Sequence, residues 1–279
     1  MVRIVAFLAG LVFVMALVVA ILMPRQPAVE NAAHHFHVEP AKFAFASDGP
    51  FGRFDRQQLQ RGFQVYKEVC SACHSLRHVA FRDLEDLGFT KPEVKAIASQ
   101  WAIEVPSVNP ETGEAATRKA IPSDMFPSPY ANEVAARAAN NNALPPDLSL
   151  MTKAREGHAD YVHSLLTGYR TPPADLPKES RPGPGLYYNP VYANLNIAMP
   201  PPLVAEGQVS FADGTKPTVE QMSQDVAAFL IWTAEPKLEN RKRTGVAVVL
   251  FLLLATTLAY LAYQNIWADK KHGKRTSLT

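Results

Sequence analysis

The sequence predicts a mainly α domain with long loops, standing on a C-terminal helix long enough to cross a membrane. Three observations carry that prediction: two segments with apolar residues at helical spacing, an uncharged run near the C-terminus, and proline-rich stretches between them. At 279 residues the chain can build one or two domains with a real core.

Taken in order, Ile4 to Met23 is an uncharged stretch of about 20 residues. A secretory signal has an apolar core of roughly 7–15 residues and a small-x-small cleavage site. Here the core is longer, and "MPRQPAVENAA" offers no clean site. Residues 1–24 are therefore expected to be a retained anchor, with a cleaved signal as the alternative. Either reading exports residues 25–240.

The first helix of the exported section is expected to start near Asp55, with Gln58 three residues later as a loose capping pair. Leu59, Phe63, Tyr66, Cys70 and Cys73 then fall on one face. A shorter helix is expected around Tyr161 to Gly168, with the glycine as terminator. The last is "TVEQMSQDVAAFLIWTAEP", where Thr218 and Gln221 fit a capping box and Pro236 forces a stop. Its apolar face is Met222, Val226, Phe229 and Leu230. Between these lie stretches read as loops, including "VPSVNPETGE", "PSDMFPSPY" and "NIAMPPPL"; only "GQVSFADG" suggests a small hairpin. So much loop in a compact domain implies that the loops wrap something large and apolar.

Gly245 to Tyr263 has no charged residue, and Trp267 follows at interfacial level, so a membrane helix is expected over residues 244–267. Basic clusters flank it on both sides, Arg241 to Arg243 and Lys270 to Arg275, and residues 268–279 form a basic tail. From Pro24 to Asn240 there are 20 Lys and Arg against 25 Asp and Glu. A folded nucleic-acid binder would show a basic face, so that class is excluded; an acidic body suits a basic partner steered from a distance.

Cys70 and Cys73 are the only cysteines, with His74 directly after. In an oxidising compartment two thiols become a disulfide unless something else consumes them. C-x-x-C-H is the attachment pattern of c-type haem. Two thiols about one helical turn apart reach the two vinyl groups of a porphyrin and form thioethers, while the adjacent imidazole sits under the iron. A thioredoxin-like dithiol would want a βαβ context, absent here. A zinc site from Cys70, Cys73, His158 and His163 would span some 80 residues, unlike a compact zinc finger. The sixth iron ligand is open on spacing alone. Met222 and Met151 read as core, whereas Met125 and Met199 sit in proline-stiffened loops, with Met199 modestly ahead. His158 and His163 remain possible ligands.

At this point the sequence resembles the family of cytochrome c1, the haem subunit of ubiquinol–cytochrome c reductase. The resemblance is carried by "GPFGRFDRQQLQRGFQVYKEVCSACHSL", "FPSPYANEVAARAANNNALPPDLSLMTKAREGHADYVHSLLTGY", "GLYYNP", "AMPPPL" and "DVAAFLIWTAEPKLENRKRTG", in that order from Phe43 to Trp267. It implies that Cys70 and Cys73 hold one haem c covalently, that His74 is the fifth ligand, and that Met199 is the sixth. It also implies that Asn140, Pro145, Arg155 and Tyr161 line the crevice, with Arg155 and Tyr161 bonded to haem propionates. A buried propionate wants a guanidinium as any buried carboxylate does. Some bacterial members brace the methionine loop with an extra cysteine pair; here Pro200 to Pro202 and packing must serve.

The resulting expectation is a cytochrome c-like single-haem domain, the redox subunit of a quinol–cytochrome-c reductase. It would take electrons from the Rieske iron–sulfur protein and pass them to cytochrome c, beside the cytochrome b subunit and membrane lipid. The setting implied is a bacterial inner membrane, with the haem domain periplasmic and the C-terminus cytoplasmic. Two rivals are a free-standing membrane-anchored c-type cytochrome serving an oxidase, and a haem sensor or enzyme with an open sixth position.

Overall fold

The computed structural model describes residues 2–23 and 32–272. Its helices are α1 (Val2–Leu22), α2 (Ala32–Phe36), α3 (Arg56–Glu68), α4 (Lys91–Ser99), α5 (Glu133–Ala139), α6 (Met151–Ala154), α7 (His158–Thr167), α8 (Val219–Ala234) and α9 (Leu238–His272). Two small antiparallel ribbons pair β1 (Val105–Val108) with β2 (Ala115–Arg118), and β3 (Tyr187–Tyr188) with β4 (Asn196–Ile197). The mainly α expectation holds. The stretch from Pro24 to Asn31, whose sequence offers no clean cleavage site, and the end of the basic tail lie outside the described residues.

α3 and α8 cross and make the centre of the core. Asp55 caps α3, its carboxylate accepting from the amides of Gln57 (3.0 Å) and Gln58 (3.2 Å). Leu59, Phe63, Val65 and Tyr66 are buried by α3; Met222, Val226, Phe229 and Trp232 are buried by α8. The two helices meet at Gly62, where an added Cβ would strike the Asp225 carbonyl and the Phe229 Cβ. Beside that crossing the fully buried Asp225 carboxylate accepts from Arg61 Nε (2.7 Å) and Gln221 Nε2 (2.9 Å). A buried carboxylate with a guanidinium and an amide as donors is satisfied, so it fixes the relative register of the two helices. Aromatic rings fill the space around them: Phe81 and Phe126 lie 4.2 Å apart between centroids, and Trp101 packs edge-on to Phe126 at 5.0 Å.

α8 starts as predicted. Thr218 is its N-cap, and its hydroxyl accepts from the Gln221 amide at 3.0 Å. Thr218→Ala is expected to cost about 1 kcal/mol, which for a domain near 200 residues lowers Tm by about 2–4 °C in a thermal melt. An unchanged Tm would mean that the cap contributes nothing.

Four local expectations need correction. The first helix stops at Glu68, and Cys70–Ala72 form a 3-10 turn, so the cysteines leave the face of α3. Ser71 Oγ donates to the Lys67 carbonyl (2.7 Å), the acceptor that the Ser71 amide would use in a continued helix. The Cys73 and His74 amides both turn to the Cys70 carbonyl, at 3.1 and 2.9 Å. α7 begins at His158, three residues early, because Gly157 in a left-handed conformation (φ 80°) reverses the chain there. "VPSVNPETGE" is not loop throughout: it carries β1 and the turn into β2, held by Asn109 Oδ1 accepting from the Glu111 amide at 2.9 Å. "GQVSFADG" is turns, with Gly207 and Gly214 at positive φ, and it buries Val209 and Phe211 in the core instead of pairing.

α9 runs unbroken for 35 residues and contains the predicted uncharged stretch. Leu238–Ala268, whose most apolar 18-residue stretch has a mean hydropathy of 2.3, has the length and composition to cross a membrane, as does Val2–Leu22, where that stretch reaches 3.1. Only Glu235, Pro236 and Lys237 separate α9 from α8.

Candidate haem site

The end of α3 and the 3-10 turn place Cys70, Cys73 and His74 together. Both thiols are free and half-buried. Burial pushes the Cys70 thiol up to about 12, with Cys73 adding to it. It is therefore held as a neutral thiol.

His74 is fastened from three sides. The Tyr66 hydroxyl donates to its carbonyl at 3.0 Å, its amide binds the Cys70 carbonyl, and its Nδ1 lies 2.8 Å from the Pro146 carbonyl. A carbonyl can only accept, so Nδ1 carries the proton and Nε2 keeps its lone pair. Burial holds the imidazole below its usual range, against an opposing pull from the Pro146 bond and from Asp147. A neutral ring with Nδ1–H on a carbonyl and Nε2 unprotonated is the tautomer that metal ligation requires.

The segment from Pro145 to Ser149 is clamped against the turn that carries the two cysteines. Asp147 accepts from Ser75 Oγ (2.8 Å), the Arg77 amide (2.8 Å) and the Ser149 amide (3.0 Å). The Leu148 amide closes the clamp on the Ser75 carbonyl at 2.9 Å. Burial works against ionisation of Asp147, but these donors outweigh it and hold the carboxyl below the usual range. Pro145, half-buried, is thereby fixed one residue from the carbonyl that orients His74.

The other predicted residues fall into two groups. Asn140 follows α5 and donates from Nδ2 to the Tyr130 hydroxyl (2.9 Å), which lies within hydrogen-bonding reach of the Cys73 thiol. Arg155 and Tyr161 are neighbours, and burial pushes the Tyr161 phenol up while the guanidinium opposes it. Among the described residues no carboxylate pairs with Arg155, so its charge is not taken up by a surface salt bridge.

Of the competing histidines, His163 has both ring nitrogens engaged, whereas His158 has only Nδ1 bonded, as His74 does. His163 is buried, with Nδ1 on Ser223 Oγ (2.8 Å) and Nε2 on Glu220 Oε1 (3.0 Å). His158 turns Nδ1 to the Thr152 carbonyl at 2.8 Å. Among the described residues no cluster of three or more His, Cys, Asp or Glu gathers for a metal ion, which overturns the zinc alternative. Met151 and Met222 are core. The backbone of Met125 is bridged to Ala80, and its side chain is half exposed. Met199 is half-buried in the loop after β4, its carbonyl held by the Tyr169 hydroxyl at 3.1 Å. Asp147, Pro146 and Tyr169 escape sequence reasoning because the groups they hold lie 30 to 72 residues away in the chain.

Two free thiols, a neutral imidazole presenting Nε2 and a methionine in a stiffened loop fit a covalently attached haem, and with the helical core they define a c-type cytochrome. The family model described as Cytochrome C1 family matches residues 45–270, and the chain belongs to that family. It is 44% identical to "Cytochrome c1" of Rhodospirillum rubrum over 236 residues, covering 80% of this chain and 86% of that one. It is 43% identical over 247 residues to "Cytochrome c1, heme protein, mitochondrial" of Saccharomyces cerevisiae, covering 88% of this chain and 77% of that one. A third relative, "Cytochrome b/c1" of Bradyrhizobium diazoefficiens, is 43% identical over 250 residues, 82% of this chain but 35% of that longer protein. As a family member the chain is a membrane-anchored redox subunit of ubiquinol–cytochrome c reductase, respiratory complex III, and carries one covalently attached haem c.

Proposed function

We propose that the chain relays electrons from a Rieske iron–sulfur protein to a cytochrome c, through a haem tethered at Cys70 and Cys73. His74 Nε2 and the Met199 thioether are its iron ligands. The observation that carries this reading is the Pro146 carbonyl on His74 Nδ1, which leaves Nε2 free. When bound, haem c supplies a one-electron ferric–ferrous couple. The side chains then have only to hold and orient. The two cysteines fix the macrocycle to the end of α3. The clamp at Asp147 keeps His74 from rotating, and a thioether at the sixth position raises the potential and keeps other ligands away. Arg155 and Tyr161 meet the propionates, and Asn140 and Pro145 line the crevice. No residue needs to move a proton.

The haem domain, residues 25–240, stands on the periplasmic side of a bacterial inner membrane. Residues 244–267 are its membrane anchor, residues 268–279 a cytoplasmic tail, and residues 1–24 a retained hydrophobic segment. α9 lies beside a cytochrome b subunit and membrane lipid. Support comes from the Bradyrhizobium relative, whose name joins b and c1 in one chain. The excess of acids over bases from Pro24 to Asn240 suits a basic cytochrome c.

In the intact membrane complex, reduced by quinol, the oxidation rate of this haem by a basic cytochrome c is expected to fall by about an order of magnitude from low to high salt. Rapid mixing across a salt series measures it. A rate independent of ionic strength would sink the electrostatic steering. Failure of a Rieske-depleted complex to differ from the intact one would sink the relay.

A further inference from the structure

Three consecutive prolines, Pro200 to Pro202, directly follow Met199. Proline has no N–H, so this stretch offers no backbone donor and cannot knit itself into a turn. Its carbonyls must find donors outside the stretch. Two side chains supply them. The Tyr169 hydroxyl donates to the Met199 carbonyl at 3.1 Å, and Gln208 Nε2 donates to the Pro202 carbonyl at 2.8 Å. Gln208 also accepts the Val204 amide at Oε1, 3.0 Å, so one amide bridges both ends of the bend after the prolines.

Tyr169 is well placed for this. It follows Gly168, which ends α7, and α7 is packed on α8 in the core. Gly168 allows close approach: a Cβ there would meet the Ser164 carbonyl, Asn189 Oδ1 and Val191 Cγ2. Fully buried Asn189 ties the same corner, donating from Nδ2 to the Leu165 carbonyl at 2.7 Å and accepting the Val191 amide at 3.1 Å. On the approach to Met199, β4 pairs with β3, and Leu195 is buried in a left-handed conformation at φ 62°. The chain before Met199 is thus held by a ribbon, and the chain after it by borrowed donors.

We infer that Tyr169, seconded by Gln208, is the positioning residue for Met199: its hydroxyl holds the carbonyl one bond from the Met199 Cα and so sets where the thioether can reach. This rests on the proposal that Met199 is the sixth iron ligand. It also answers how the loop dispenses with a cysteine brace.

The test compares the purified holoprotein with Tyr169→Phe, Gln208→Leu and Met199→Leu. Four things are measured: haem content, midpoint potential, the red charge-transfer band that ferric iron shows with a thioether ligand, and carbon monoxide binding to the reduced form. Losing one hydrogen bond shifts the bound-to-free ratio of the thioether by about fivefold. Tyr169→Phe keeps its ring and is expected to keep full haem content. Its ferric band should weaken, its potential should fall, and its carbon monoxide-binding fraction should rise by that factor. Gln208→Leu, at an exposed site, should move the same way by less. Met199→Leu should lose the band altogether. If Met199→Leu matches the parent, the ligand assignment fails and the inference with it. If Met199→Leu loses the band while Tyr169→Phe behaves as the parent, the ligand stands and the positioning role is refuted. Should Tyr169→Phe not accumulate, a parent-like Gln208→Leu would refute it from the other end of the loop.

Discussion

Asp147→Ala is expected to destabilise the haem domain by about 3–5 kcal/mol and to leave a large share of the protein without haem. The carboxylate accepts three hydrogen bonds, from Ser75 Oγ and the amides of Arg77 and Ser149. Bonds to a charged acceptor are worth about 1.5–3 kcal/mol each, and donors left buried without a partner add their own desolvation. The contact with the Arg77 side chain at 3.5 Å counts for little, because that guanidinium is mostly exposed. Asp147→Asn should recover part of the loss, since an amide oxygen still accepts. Because the folded carboxyl titrates below an unfolded aspartate, near 3.9, its stabilisation is complete above that value. It is lost as pH falls through the folded value. The acid limb of the stability curve should therefore flatten in Asp147→Ala. Chemical denaturation from pH 7 down to pH 3 reads this directly, and a variant that keeps the parent's acid limb would remove Asp147 from the account.

Gly62→Ala should cost at least about 3 kcal/mol, and Gly62→Val more, with a corresponding fall in the amount of folded protein. Two effects oppose each other here. Alanine is a better helix former than glycine by about 0.5–1 kcal/mol. Against that, its Cβ would sit on the Asp225 carbonyl of α8 and against the Phe229 Cβ. A backbone carbonyl inside a helix cannot swing aside as a side chain can, so the helices must separate. Separation would also stretch the Arg61–Asp225 pair, whose carboxylate has no exposure with which to recruit water. The collision wins. A thermal melt decides: a higher Tm for Gly62→Ala would mean that the contact is looser than it looks. Since α3 carries the attachment turn at its end, haem content should fall together with stability.

The elements legible in the sequence are those whose signals are local. α8 has its capping threonine, its buried face and its proline stop within one segment, and every residue of the predicted face is buried. α3 is legible at its start but not at its end, because the Ser71 hydroxyl that breaks it looks like any surface serine. α4 is missing from the sequence expectation although its signal is local: Thr90 with Glu93 as a capping box and Pro92 in the first turn. β1 and β2 give little, being four residues each, and their inner face carries Ser107, Ala116 and Arg118 beside Val105, so the burial alternates where the hydrophobicity does not. The site divides in the same way. C-x-x-C-H is a spacing pattern and survives in a bare sequence. The groups that aim His74 and hold the Met199 loop are carbonyls and amides joined only by folding, and no spacing rule announces them.

α9 does not hang from the domain by a tether. It begins three residues after α8, and its first turns are bolted to the body. Glu239 takes the Phe54 amide at 2.7 Å and the Arg56 guanidinium at 3.0 Å. Glu235 gathers Lys153 and Arg241, each at 2.9 Å. The first turns of α9 are therefore docked on the body, which ties the direction of the helix to that of the domain. Docking of this kind disfavours a swing of the domain about its anchor. In the relay proposed above, the movement would then fall to the donor and the acceptor.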